Sequence, residues 1–180
     1  VRPGDVIMSY PYLEDDYFFR SVICLLDHNA EGSFGLILNK KMPHTIGEVM
    51  PILSTLSNPL YMGGPVETQS LFFLHPYKDL KDTLKVKDDL YWNGDLHELK
   101  DMIELDFADA ENIRFYLGYS GWSSGQLEEE IKEKSWLIGD YNRELIFHAN
   151  EDDILWRKSI ELLGGRYTDL AHYPIDPQSN

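Results

Sequence analysis

Gly118–Trp136 reads GYSGWSSGQLEEEIKEKSW, the stretch on which the fold turns. An apolar, aromatic run, Arg114–Tyr119 (RFYLGY), enters it as a strand, and a charged helical run leaves it. Between them, Gly118, Gly121 and Gly125 suit tight backbone geometry. With Ser123 as N-cap, Gln126 falls at N3 and completes a Ser-x-x-Gln capping box. Trp122 and Leu127 then occupy the two positions of a hydrophobic staple. Glu128→Lys132 and Glu130→Lys134 are spaced as favourable i,i+4 pairs. The spacing therefore predicts a strand-to-helix corner with its helix ending near Trp136.

Two chemical readings of this corner lose their motif. Neither G-x-x-x-x-G-K-[ST] nor G-x-G-x-x-G is present, and Glu128, Glu129 and Glu130 compete with any anion for the helix dipole. Ser120 is followed directly by Gly121, so the G-x-S-x-G nucleophile elbow is not formed.

Outward from the corner, Asp5–Tyr10, Arg20–Leu26 and Phe34–Leu38 are apolar runs of strand length. The turn-forming segment Asp27–Ser33 joins the last two as an antiparallel hairpin with a longer loop. Thr45 and Glu48 have capping-box spacing before a short helix that Pro51 limits. Leu60–Met62, a Gly63-Gly64-Pro65 turn, Ser70–Leu74 and Tyr91–Trp92 add strands. Asp95 opens a second helix whose Leu96, Leu99 and Ile103 share one face. Leu145–His148 reads as the last strand. Asp153–Leu163 reads as a closing helix striped by Trp156, Ile160 and Leu163, stopped at Gly164-Gly165. Tyr173–Asn180 reads as an irregular tail. Strands that arrive first as a hairpin and later between helices predict a mixed α+β class, and 180 residues predict one domain, 1–180.

Composition narrows the function. Acidic residues number 31 against 16 basic, a formal net charge of −15. Nucleic-acid affinity comes largely from Lys and Arg neutralising phosphates, so direct DNA contact is disfavoured, as is an anionic membrane surface. No apolar run approaches the roughly 20 residues of a membrane-spanning helix, and no charged-then-apolar leader lies within the chain. The single cysteine, Cys24, sits in an apolar strand and fits a reducing cytoplasm. The six histidines lack H-x-x-x-H and H-E-x-x-H spacing, so no metal, cofactor or catalytic set is assigned.

Blocks in order along nearly the whole chain carry a resemblance. They are Pro11, Leu13, Asp15 and Phe18; Arg20-Ser21-Val22; His28-Asn29; Glu31-Gly32; Gly35-Leu36; and Asn39-Lys40. They continue through Gly63-Gly64-Pro65, Leu117-Gly118-Tyr119, Gly121-Trp122, Gly125-Gln126-Leu127-Glu128 and Glu130-Ile131 to Trp136 and Trp156. The chain resembles the AlgH/YqgE family, departing at Lys41, where proline is common, and at Ser120, where alanine is frequent. The resemblance implies an α+β fold with a barrel-like, largely antiparallel sheet flanked by helices. Members are often labelled transcriptional regulators, and no enzymatic activity defines them.

Three functional readings stay open. The first is a cytoplasmic, non-catalytic binding or regulatory protein acting on a protein or small-molecule partner. The second is a regulator that contacts DNA. The third is an enzyme gathering His28, Asn39 and the 118–126 turn. The candidate binding residues are Arg20, His28, Asn39, Gly63, Gly64, Gly118, Trp122 and Gln126. The third reading requires these groups to converge on one pocket.

Overall fold

A computed structural model describes residues 1–148 and 152–174. Among these residues ten strands form one sheet: β1 Val6–Ser9, β2 Val22–Asn29, β3 Gly32–Ile37, β4 Lys41–Thr45, β5 Pro59–Met62, β6 Val66–His75, β7 Leu84–Lys87, β8 Leu90–Trp92, β9 Arg114–Ser123 and β10 Trp136–Gly139. Their main path runs β10-β1-β2-β3-β9-β6-β8-β7, with β5 beside β9 and β4 beside β5. Among the described residues every pairing is antiparallel except β5 with β9. The expected α+β, largely antiparallel architecture is present, and the sheet stays open rather than closing into a barrel. Among the described residues six α-helices flank it: α1 Ile46–Val49, α2 Leu96–Glu104, α3 Gln126–Lys132, α4 Arg143–His148, α5 Asp152–Leu163 and α6 Thr168–Ala171.

Period-2 alternation builds a core on each face of the sheet. Val22, Cys24 and Leu26 of β2 join Val6, Met8, Leu36, Trp156 and Ile160 on one side. Ile23 and Leu25 point the other way, to Ile7, Ile37, Trp122, Leu127 and Trp136. A third cluster packs α1 and α2 against Leu60, Phe73 and Phe115. Burial raises the Cys24 thiol to about 12, which makes it an inert core side chain.

Local capping accounts for the helices read from sequence. The Glu48 carboxylate accepts from the Thr45 amide at 2.7 Å, and a separate 3₁₀ turn starts at Pro51. Asp95 accepts from the His97 and Glu98 amides.

Several expectations are corrected. Leu145–His148 lies in helix α4, because Asn142 Oδ1 caps it by accepting from the Leu145 amide at 3.1 Å. The last strand is β10, entered through Lys134 at φ 61° and paired with β1. The β2–β3 connection is a tight turn at Ala30-Glu31, since the ladder continues to Asn29↔Gly32. Edge strands β4 (KMPHT) and β7 (LKVK) escape the sequence reading because they are short and none of their residues is fully buried. Most of the tail, 175–180, lies outside the described residues.

His75 is a buried polar anchor. The Tyr77 amide donates to its Nδ1 at 3.1 Å, and its Nε2–H therefore donates to the Asn93 carbonyl at 2.8 Å. Burial lowers its pKa below the ordinary histidine value, against a smaller opposing effect of the Asn93 bond. The unfolded chain then takes up the proton first. His75 stabilisation is complete above pH ~6.5 and is lost as pH falls from there through the lower folded-state pKa. Urea unfolding is expected to show a steeper drop between neutral and mildly acid pH for the wild type than for His75→Gln. Equal slopes would contradict a neutral His75.

Candidate functional site

The corner that organises the sequence is a crossing of four strands built around β9. One edge of β9 pairs with β6, while the other hands over from β5 at residues 115–117 to β3 at residues 120–123. Gly63 fills the handover: its amide donates to Leu117 O at 2.8 Å, and its carbonyl accepts from the Ile37 amide at 2.9 Å. Ser120 Oγ, fully buried, donates to the same carbonyl at 3.1 Å, a structural role rather than a nucleophilic one. A Cβ on Gly63 would lie 2.2 Å from Gly118 O, and one on Gly64 would lie 2.2 Å from Tyr119 backbone atoms. Gly118 is an interior residue of β9 at φ 70°, not the turn. The turn is at Ser124-Gly125, and Gly125 at φ 76° is the N-cap of α3 in place of Ser123.

Past the crossing, Glu130 takes the part assigned from sequence to ion pairs. Its Oε2 accepts from the indole N–H of Trp122 at 2.8 Å and of Trp136 at 2.7 Å. Gln126 Nε2 donates to its Oε1 at 2.8 Å, and Gln126 Oε1 accepts from the Ser123 amide at 3.0 Å. Half of the expected capping box therefore forms, from the glutamine side. Glu128 faces His28 Nε2 at 3.4 Å instead of pairing with Lys132. His28 Nδ1 lies 2.8 Å from Ser33 Oγ.

Arg20 and Asn39 stand elsewhere. Asn39 accepts from the Val22 amide and donates to Arg20 O, each at 2.8 Å, fixing the start of β2. The buried Arg20 guanidinium lies 4.7 Å from the Trp156 ring and donates to Tyr173 O. His28 is six residues along the same strand from Val22, roughly 20 Å away at about 3.3 Å per residue. The candidate residues thus form two groups. His28, Trp122 and Gln126 gather at the α3 end of β2, β3 and β9, Arg20 with Asn39 closes the opposite end of β2, and Gly63, bonded to Ile37, lies between them.

A groove of about 470 Å³ opens next to the first group. Phe34, Val66, Tyr119 and Gly121 line it, with the exposed side chains of Asp27, Asn29 and Glu31 on its rim. Behind it Phe34, Phe72, Trp92 and Tyr119 form one half-buried aromatic cluster, with Phe34 4.7 Å from Tyr119 and 5.2 Å from Trp92. None of these four rings was singled out as a site residue from sequence; they come from four strands, and only the Phe34/Leu36 and Phe72/Leu74 alternations hint that they share a face. A second recess of about 450 Å³ lies at Asn58, Tyr61 and Arg114. Arg114 there is held 4.1 Å from the Tyr61 ring, with bonds to Leu38 O and Ile146 O. Among the described residues no group of three His, Cys, Asp or Glu side chains is placed to hold a metal ion, and no helix is long and apolar enough to cross a membrane.

The sequence profile described as AlgH-like (DUF179) matches residues 6–168. The chain belongs to the AlgH-like family. A UPF0301 protein of Cytophaga hutchinsonii is 44% identical over 179 residues, covering 98% of each chain. A UPF0301 protein of Bacteroides thetaiotaomicron is 38% identical, over 98% of this chain and 90% of its own. Among solved structures, a crystal structure of a Corynebacterium diphtheriae protein superposes with a TM-score of 0.80 at 20% identity, covering 96% of this chain and 93% of the other. The solution structure of the AlgH protein from Pseudomonas aeruginosa gives 0.72 at 25% identity, with 96% and 94% covered. The glycine crossing and the Trp122–Glu130–Trp136 clamp are thus described in an AlgH-like chain whose signature blocks they explain.

Proposed function

We propose that this AlgH-like chain is a cytoplasmic, non-catalytic binding or regulatory protein, and that its contact surface for a protein or small ligand is the groove beside β3 and β9. The observation that carries the reading is the cluster of four half-buried rings, of which Phe34 and Tyr119 line that groove and Phe72 and Trp92 pack against them. Aromatic surface flanked by a few polar groups is what recognition sites are built from. Asn39, part of the family resemblance, and Ser120, a departure from it, are both occupied in holding backbone. An enzyme that joins His28 to Asn39 faces the length of β2 between them. Direct DNA contact faces the net charge of −15.

Chemical-shift mapping with a small-fragment collection tests the reading. Binding fragments are expected to move the Trp92 indole N–H and the Gly32 and Gly121 amides. Hits confined to the Arg114 recess would contradict it, as would a turnover abolished by substituting His28 or Asn39.

A further inference from the structure

We propose that the groove's occupant is a basic, arginine-bearing segment of a partner protein, an inference that rests on the groove being the contact surface. The rings and the carboxylates are neighbours by register. Asp27 pairs with Phe34 across β2–β3, so their side chains share a face about 5 Å apart at Cβ. Opposite Phe34 on β9 stands Gly121, which has no side chain to cover the ring. The Asp27 carboxylate is fixed in place, accepting from the His28 amide and from Asn29 Nδ2, each at 2.9 Å. Glu31 adds a second exposed carboxylate, and among the described residues no Lys or Arg lines the groove.

Ring faces attract cations, and the planar guanidinium also stacks on them. The molecule uses this pairing internally, with Arg114 over Tyr61 at 4.1 Å and Arg20 over Trp156 at 4.7 Å. In an extended segment alternate side chains fall about 7 Å apart on one face. Such a segment can set one arginine on the rings and the next against the carboxylate rim. Anionic ligands meet two carboxylates at that entrance, which sets phosphates and nucleic acid aside.

The test uses a short synthetic peptide alternating arginine and alanine, its neutral citrulline twin, and free arginine amide. Each is titrated at about 0.15 M salt, where diffuse attraction to an acidic protein is screened beyond about 8 Å. Asp27→Asn with Glu31→Gln is expected to weaken the arginine peptide roughly tenfold, and Tyr119→Leu roughly threefold. Asp101→Asn with Glu104→Gln, on the exposed side of α2, makes the same charge change and is expected to stay within about twofold. Equal loss in both double variants, or no binding of the peptide, overturns the proposal. Arginine amide binding as tightly as the peptide also overturns it, in favour of a free small cation. A citrulline twin that binds equally well and remains sensitive to Tyr119→Leu removes the cationic occupant while leaving the groove as contact surface. Shifts that bypass the Trp92 indole remove both.

Discussion

Gly63→Ala is expected to lower folding stability by about 4 kcal/mol or more, enough to deplete the folded protein in a domain of ordinary stability. The new Cβ would meet Gly118 O at 2.2 Å and Leu36 Cδ2 at 2.8 Å. The leucine can rotate; the carbonyl belongs to β9. Gly63 cannot retreat, because its amide and carbonyl are both bonded at the handover between β5 and β3. Relief requires breaking ladder bonds, whereas ordinary overpacking is absorbed by side-chain shifts. Gly125→Ala is the matched comparison. Nothing lies within 4 Å of its added Cβ, so only the left-handed backbone at φ 76° opposes it. About 1 kcal/mol is expected there. Urea unfolding of the two variants measures the difference, and a Gly63→Ala loss no larger than that of Gly125→Ala would show that the crossing is not tight.

Glu130→Ala is expected to cost about 3 kcal/mol, because it strips the acceptor from two buried indoles at once. Trp122 and Trp136 are 6% and 4% exposed, so water replaces the carboxylate poorly at either ring. Glu130→Gln separates the acceptor from the charge. It keeps one oxygen for the indoles but turns an NH₂ toward Gln126 Nε2, whose own oxygen is engaged by Ser123. A loss of about 1 kcal/mol is expected for it, consistent with one hydrogen bond. Denaturant unfolding followed by tryptophan fluorescence reads both variants. A Glu130→Ala loss below about 0.5 kcal/mol would mean the clamp contributes no more than an ordinary surface contact.

These two sites also mark where a sequence stops being legible. Thr45 with Glu48 and Asp95 with Glu98 sit three residues apart, within one helical turn, so spacing alone locates both helix starts. Val22–Leu26 is legible as a strand, but its unbroken apolar run does not show that Val22, Cys24 and Leu26 face one core and Ile23 and Leu25 the other. LIFH at Leu145–His148 is different: three apolar residues and a histidine fit a strand or a buried helix turn, and Asn142 decides for the helix. Glu130 looked like a partner for Lys134 because i,i+4 geometry is local, while the two indoles that hold it approach from β9 and β10. Gly63, Gly64 and Gly118 were visible as glycines, but their reason is a contact between segments more than fifty residues apart. The aromatic cluster is furthest from view, since Phe34, Phe72, Trp92 and Tyr119 meet only after β3, β6, β8 and β9 have paired.

The division that emerges assigns the signature glycines, Asn39 and the tryptophan clamp to architecture, and the aromatic groove with its acidic rim to recognition. A crystal structure of the protein with the arginine–alanine peptide bound tests that division most directly. The expected result is a guanidinium stacked over Phe34, Trp92 or Tyr119, with a second one at Asp27 or Glu31. A peptide seated in the Asn58–Tyr61–Arg114 recess, with the groove left open, would contradict it.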